Sequence, residues 1–162
     1  MQEEQFQFNF GVYTSILELD PTDRELLLQA KAIVEHAYAP YSHFLVGAAA
    51  ILSNGEILKG TNQENASYPV GICAERTLLA AAGTLFPDAH IVTMAISYHN
   101  LEGQSHTPVS PCGMCRQALV EHETRYQHPV RLILSGTDGP VYIIPTSGSL
   151  LPLSFTVKDL KG

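Results

Sequence analysis

Apolar and polar residues alternate strictly near the start of the chain: Phe6, Phe8, Phe10 and Val12 take one side, Gln5, Gln7 and Asn9 the other. A period of two predicts a strand over Glu4–Val12, at a sheet edge or between subunits. The period then becomes helical, with Leu26, Leu27, Ala30, Ile33, Val34 and Ala37 on one stripe. The "TDRE" of Thr22–Glu25 reads as the capping box that opens this helix, and Pro40 closes it. Two strand-like runs, Phe44–Leu52 and Glu56–Thr61, flank the hairpin signal Asn54-Gly55. A second helix is predicted over Cys73–Phe86, stopped by Pro87, followed by a strand over Ile91–Tyr98 and a loop over His99–Pro111. A third helix over Cys112–Tyr126 precedes strands at Val130–Ser135 and Val141–Ile144, and "SGSLLP" reads as a short turn. Helices alternating with strands, one hairpin among them, predict an α/β fold: a three-layer α/β/α sandwich on a mixed five-stranded sheet, plus the N-terminal extension strand.

Composition narrows the setting. No repeat, low-complexity tract or linker divides the 162 residues, so they read as one domain, 1–162, with residues 1–20 an N-terminal extension of unassigned role. Apolar residues make up 45% and charged residues 15%, with a mean hydropathy of +0.05, which suits a globular protein. A net charge of −7 and an isoelectric point near 5.4 give no pull toward nucleic acid or anionic membranes. The longest apolar run, Phe44–Leu52, is far shorter than the roughly 20 residues of a membrane span. The acidic start "MQEEQFQFNF" does not read as a signal peptide. With only three cysteines a disulfide scaffold is not expected, and a cytoplasmic, reducing setting is.

The three cysteines repeat one placement. Cys73 opens the second helix, and Cys112 and Cys115 open the third in "SPCGMCRQ", with Pro111 suited to a helix start. Residues three apart on a helix share a face, and the positive end of the helix dipole favours thiolate. Two such helix starts would make a three-sulfur site for zinc, with the fourth position open to water. Other readings stand beside it: a Cys-x-x-Cys pair also serves redox chemistry or half of a structural zinc site, and a lone cysteine also packs in a core. His99 and His106 precede the pair and are candidates for a closing fourth ligand, although neither lies at a recognised ligand spacing.

Glu75 favours the catalytic reading. Two residues beyond Cys73 on a helix it does not share the thiol's direction, so it reaches a water at the metal from the side and moves protons. Arg76 is the candidate cation that offsets the charge of three thiolates by donating to their sulfurs. Ala80, Ala81 and Ala82 are small enough for close helix packing, which is expected to bring Cys73 to the metal held by the other pair.

A Cys-Ala-Glu opening one helix, with Pro-Cys-x-x-Cys opening another some forty residues on, resembles the zinc-dependent nucleoside deaminases. Cysteine at the first ligand position is similar to the small homotetrameric cytidine deaminases. The likeness runs from "APYSHFLVGAAA" through "GTNQENASYPVGICAER" and "SPCGMCRQ" to "SLLPLSF" at Phe155. The resemblance implies a cytidine-deaminase-like fold, zinc at one per subunit on Cys73, Cys112 and Cys115, and Glu75 as proton shuttle. It implies Asn62 and Glu64 as ribose partners, Phe44 as an aromatic pocket wall, and backbone contacts to the base and departing ammonia from Ala74 and Ser110. Tyr68 and Phe155 match residues that lie near a neighbouring subunit's site, Phe155 stacking toward the base. Gln63 departs from the aliphatic residue usual between the ribose partners, and faces the other way.

The implied activity is hydrolytic deamination of cytidine and deoxycytidine in pyrimidine salvage, by a homotetramer that uses neither nucleic acid nor a membrane. A deaminase of another cytosine-containing nucleoside or antibiotic is the nearest alternative. An enzyme that edits nucleic acid fits poorly with the acidic balance and the absence of a basic, aromatic-interleaved stretch. A non-catalytic zinc-stabilised binding protein would leave Glu75 without a role.

Overall fold

A six-stranded mixed sheet organises residues 1–161, the part of the chain described by a computed structural model. The strands are β1 (Gly11–Tyr13), β2 (Phe44–Leu52), β3 (Ile57–Thr61), β4 (Ile91–Asn100), β5 (Arg131–Ser135) and β6 (Val141–Ile144), in the spatial order β1-β6-β5-β4-β2-β3. Only β4 and β5 run parallel, and the helix α3 (Gly113–Tyr126) provides their crossover. The helix α1 (Pro21–Ile33) covers one face, packing Leu26, Leu27 and Ala30 against Ala49, Ala95 and Ile133. On the other face α2 (Ala74–Leu85) and α3 bring Leu78, Ala82 and Leu119 against Ala48, Ala50, Met94 and Ile96. The sheet is buried on both sides, as runs such as Phe44–Leu52 suggest. A last helix, α4 (Val157–Lys161), follows a tail for which the sequence predicted only a turn.

The sheet therefore has six strands, one more than the five expected, because the N-terminal strand joins it. That strand is shorter than the alternation predicted, and begins at Gly11 rather than Glu4. Its register on β6 pairs Gly11 with Ile143 and Tyr13 with Val141. Continued toward the N-terminus, that register would run past Ile144 onto Pro145, which has no N–H to donate, so the ladder stops there. Before Gly11 the alternation persists only in the side chains. The rings of Phe6, Phe8 and Phe10 follow one another at 6.4 and 6.1 Å, and Phe10 reaches Tyr142 at 5.2 Å, all three phenylalanines being exposed.

The start of α1 also differs from expectation. Its cap is Asp20, whose carboxylate accepts from the Thr22 and Asp23 amides at 3.0 Å, with Pro21 in the first helical position. Thr22 lies inside the helix, and the buried Asp23 makes a two-pronged ion pair with Arg131 that ties α1 to β5. At the hairpin the expectation holds: Gly55 has φ +87°, which glycine adopts without strain, and the Asn54 side chain accepts from the Glu56 amide at 3.1 Å.

At the edge of the core away from the loop 101–112, the buried His122 of α3 accepts a hydrogen bond on Nε2 from the Ile91 amide at 3.0 Å. Burial first, then the charges of Arg125 and His90, push its pKa down to about 4. Below the ordinary value near 6.5 the unfolded chain binds a proton that the folded chain refuses until about pH 4. Stability contributed by His122 is therefore complete above about pH 6.5 and falls by up to about 3 kcal/mol as the pH drops to 4. Urea midpoints of the native protein and His122→Gln, compared at several values between pH 7.5 and 4, measure this as a smaller acid slope in the variant.

Candidate active site

Both helices on the α2/α3 face start at a cysteine. Cys73 is the N-cap residue of α2 and Cys112 that of α3, each in extended conformation, while Cys115 lies one turn into α3 and is fully buried. The two helix starts meet: the Cys73 and Cys112 sulfurs are 3.7 Å apart, those of Cys112 and Cys115 3.6 Å, and all three lie within 4.8 Å of one another. Around a tetrahedral ion with metal–sulfur bonds of about 2.3 Å, sulfurs lie about 3.8 Å apart. The trio thus fits zinc in spacing as well as in donor type, and no histidine joins it. His106 is instead paired with Asp138, and His99 lies opposite Leu45, on the α1 face of the sheet.

What brings Cys73 into reach is Gly60 of β3. A Cβ there would lie 2.6 Å from the Ala74 carbonyl and 2.9 Å from the Leu78 amide, so the first turn of α2 rests directly on strand backbone. Thr77 completes the attachment, its hydroxyl donating to the carbonyls of Thr61 and Cys73 at 3.2 Å. The alanine run contributes less than expected: Ala82 is buried, but Ala81 only half so and Ala80 is exposed.

Glu75 is 5% exposed, yet lines a cleft of about 480 Å³ together with Phe44, Asn62, Cys73, Ser110 and Cys112. Burial holds its carboxyl above the ordinary carboxylate value, against opposing contributions from its own amide, Cys115 and Arg76. Among the thiols, a hydrogen bond shared with Cys115 draws Cys73 down to about 6, and the same contact together with burial pushes Cys115 up. Arg76 makes no hydrogen bond to sulfur of a cysteine. Its guanidinium donates to the Gly71 carbonyl at 3.2 Å and approaches the Met114 sulfur at 3.7 Å, and it influences Cys73 and Glu75 through its charge.

The remaining sequence-predicted residues separate into those in the cleft and those outside it. Phe44 forms one wall, its ring stacked on Tyr98 at 4.8 Å. The Asn62 side chain bridges β2, accepting from the Val46 amide at 2.8 Å and donating to the Phe44 carbonyl at 2.9 Å, which leaves one lone pair and one N–H. Glu64 lines an adjoining hollow with Tyr41, Ser42 and Tyr68. Burial would raise its carboxyl, but the Ser42 hydroxyl and the Tyr41 and Ser42 amides outweigh burial and hold it below the ordinary value. Gln63 points elsewhere, donating to Thr61 and the His36 carbonyl. Ala74 is buried at the start of α2. Tyr68 is 74% exposed at the rim, and Phe155 is exposed and outside the cleft, its carbonyl held by Gln117 of α3.

Two contributors escaped the sequence reading. Ser42 orients Glu64, and Arg116 donates to the carbonyls of Pro111 and Leu150 at 2.8 Å, fixing the segment that ends in Cys112. Their signal was their position inside the quoted stretches "APYSHF" and "SPCGMCRQ"; nothing in spacing distinguished them from neighbouring polar residues.

The sequence model described as the cytidine and deoxycytidylate deaminase zinc-binding region matches residues 20–127. The chain belongs to the cytidine and deoxycytidylate deaminase family. Among relatives of this deaminase family, the cytidine deaminase of Halalkalibacterium halodurans is 37% identical over 139 residues, 85% of this chain and 98% of that protein. A cytidine deaminase of Mycobacterium tuberculosis is 35% identical over 127 residues, 76% of this chain and 82% of its own. The crystal structure of cytidine deaminase from Burkholderia pseudomallei superimposes with a TM-score of 0.69 at 37% identity, covering 81% of this chain and 97% of that one. Within the deaminase fold, Gly60→Ala is expected to push the first turn of α2 outward. Overpacking of this kind costs about 1–3 kcal/mol, so a lowered melting temperature and reduced zinc content by metal analysis are the expected results.

Proposed function

We propose that the protein deaminates cytidine and deoxycytidine hydrolytically, giving uridine and deoxyuridine with release of ammonia. The observation that carries this reading is a buried carboxylate, Glu75, set in a cleft beside three convergent sulfurs in a chain of the deaminase family. Cys73, Cys112 and Cys115 would hold zinc, one per subunit, which would supply the Lewis acidity that eases loss of a proton from water. Glu75 accepts that proton and delivers it to the pyrimidine ring nitrogen as water oxygen adds to the amine-bearing carbon. The same carboxyl then assists protonation of the departing amine, and the carbon–nitrogen bond breaks. A carboxyl held above its ordinary range is a stronger base than a free carboxylate and takes a proton more readily, which suits a group that must accept and release one in each cycle.

Phe44 offers an aromatic wall to the flat base. Asn62, through its remaining N–H and lone pair, and Glu64, as an ionised acceptor, are assigned to the ribose hydroxyls. The Ala74 amide and the Ser110 carbonyl are assigned to the base and the leaving ammonia, and Arg76 tempers the thiolate charge through space. We read residues 1–162 as one deaminase domain, cytoplasmic because its free thiols suit a reducing compartment; among the described residues no helix is long and apolar enough to cross a membrane. A homotetramer is the assembly we infer. Tyr68 at the rim, Phe155 on the tail and Phe6, Phe8 and Phe10 on the N-terminal arm supply exposed aromatic surface for subunit contacts. Ammonia release from cytidine, deoxycytidine and cytidine monophosphate tests the activity: turnover of the two nucleosides is expected, and absence of turnover with both overturns the reading. Light scattering checks the tetramer.

A further inference from the structure

We propose, resting on the deaminase reading above, that Tyr98 is a positioning residue that fixes the width of the nucleoside cleft. Tyr98 is 3% exposed and two residues beyond Ile96 on the same face of β4, Ile96 itself being part of the cleft floor. Its ring lies against Phe44, centroids 4.8 Å apart and planes within 13° of parallel. Its hydroxyl donates to the Thr107 carbonyl at 2.9 Å. One side chain therefore touches both walls: the β2 wall through Phe44, and the loop wall just before Val109 and Ser110, which line the cleft.

The loop needs such a tie. Upstream, Ser105 anchors it, accepting through its hydroxyl from the Asn100 amide and through its carbonyl from Thr137. Downstream, Arg116 holds the Pro111 carbonyl. Val109 and Ser110 lie between Thr107 and Pro111, so Tyr98 and Arg116 clamp the two ends of the five-residue segment that meets the substrate. With the hydroxyl gone, the Thr107 carbonyl loses its partner and the Ser110 side of the cleft loses its fixed distance from Phe44. The cost falls on capture and orientation of the nucleoside, because the hydroxyl of Tyr98 bonds the loop at Thr107 and not the sulfurs or Glu75.

Tyr98→Phe keeps the stacked ring and removes only the hydroxyl. In the zinc-loaded protein it is expected to raise KM for cytidine roughly three- to ten-fold, the range one hydrogen bond supports, with kcat within about twofold. Zinc content is expected to stay unchanged, and hydrogen exchange in peptides covering residues 105–112 to quicken. Tyr98→Leu removes the stack as well and raises KM further. Combined with Phe44→Leu it is expected to cost less than the two changes summed, because both remove the same contact. An unchanged KM in active Tyr98→Phe overturns the proposal, as does a fall in kcat that merely tracks the zinc-loaded fraction. Should the native protein fail to turn over cytidine, the deaminase reading falls by itself. The exchange measurement then decides for Tyr98, an unaltered rate at 105–112 counting against it.

Discussion

Replacing Glu75 with glutamine is expected to abolish nearly all cytidine turnover while leaving zinc in place. The amide has the shape of the carboxyl and fills the same buried position, so Cys73 and the first turn of α2 need not move. It lacks a site that takes a proton near neutral pH. General acid–base catalysis contributes about 10²–10⁴-fold, and the proposed mechanism assigns one carboxyl to the attack, the ring nitrogen and the leaving amine, so the expected loss belongs at the upper end. Stability should not fall, because the substitution removes a buried ionisable group whose burial is unfavourable. Ammonia release, metal analysis and a melting curve on one preparation check all three expectations. Full activity with normal zinc removes Glu75 from the mechanism.

Cys115→Ala has the second large effect, and by a different route. Cys115 is fully buried, so its loss leaves two sulfurs and a small void rather than a replacement ligand. Structural zinc sites of this donor type contribute on the order of 10 kcal/mol to the folded state at pH 7. Loss of one of three ligands is therefore expected to lower stability by several kcal/mol and to empty the site in dilute protein. Chelation should inactivate the native protein, and added zinc should restore it; Cys115→Ala should stay inactive at the same zinc concentration. Retention of one zinc per chain in the variant would contradict the assignment.

The sequence carried the sulfur cluster unusually well for a physical reason. Cys73 and Cys112 stand at helix starts and Cys115 one turn further on, and the onset of an apolar stripe, with Pro111 at the second start, made both ends of the site legible before any contact was known. Alternation and helical period likewise gave the main strands and helices, since burial dictates them residue by residue. Features that depend on what lies opposite were not legible. The extent of the N-terminal strand depends on where β6 meets Pro145, not on its own alternation. Gly60 reads as any strand glycine until the Ala74 carbonyl is seen above it. Tyr98 occupies an ordinary core position in β4, and its reach across to Thr107 exists only in three dimensions. The capping box failed because Asp20 outcompetes Thr22, being one residue ahead of a proline already set for the first turn.

Cys73 and Cys112 are both N-cap residues, and neither side chain makes a capping hydrogen bond. Most helices satisfy their first amides with serine, threonine, aspartate or asparagine. Here the two helices that build the cleft do without, and each presents sulfur to the other instead. A single ion held by the three sulfurs would staple two helix ends at once. Its removal is expected to free the first turn of α2 and the first turn of α3 together, with faster hydrogen exchange at the amides around Glu75 and Cys115 as the measure. On that expectation, metal content would report local order at the cleft before it reports global unfolding.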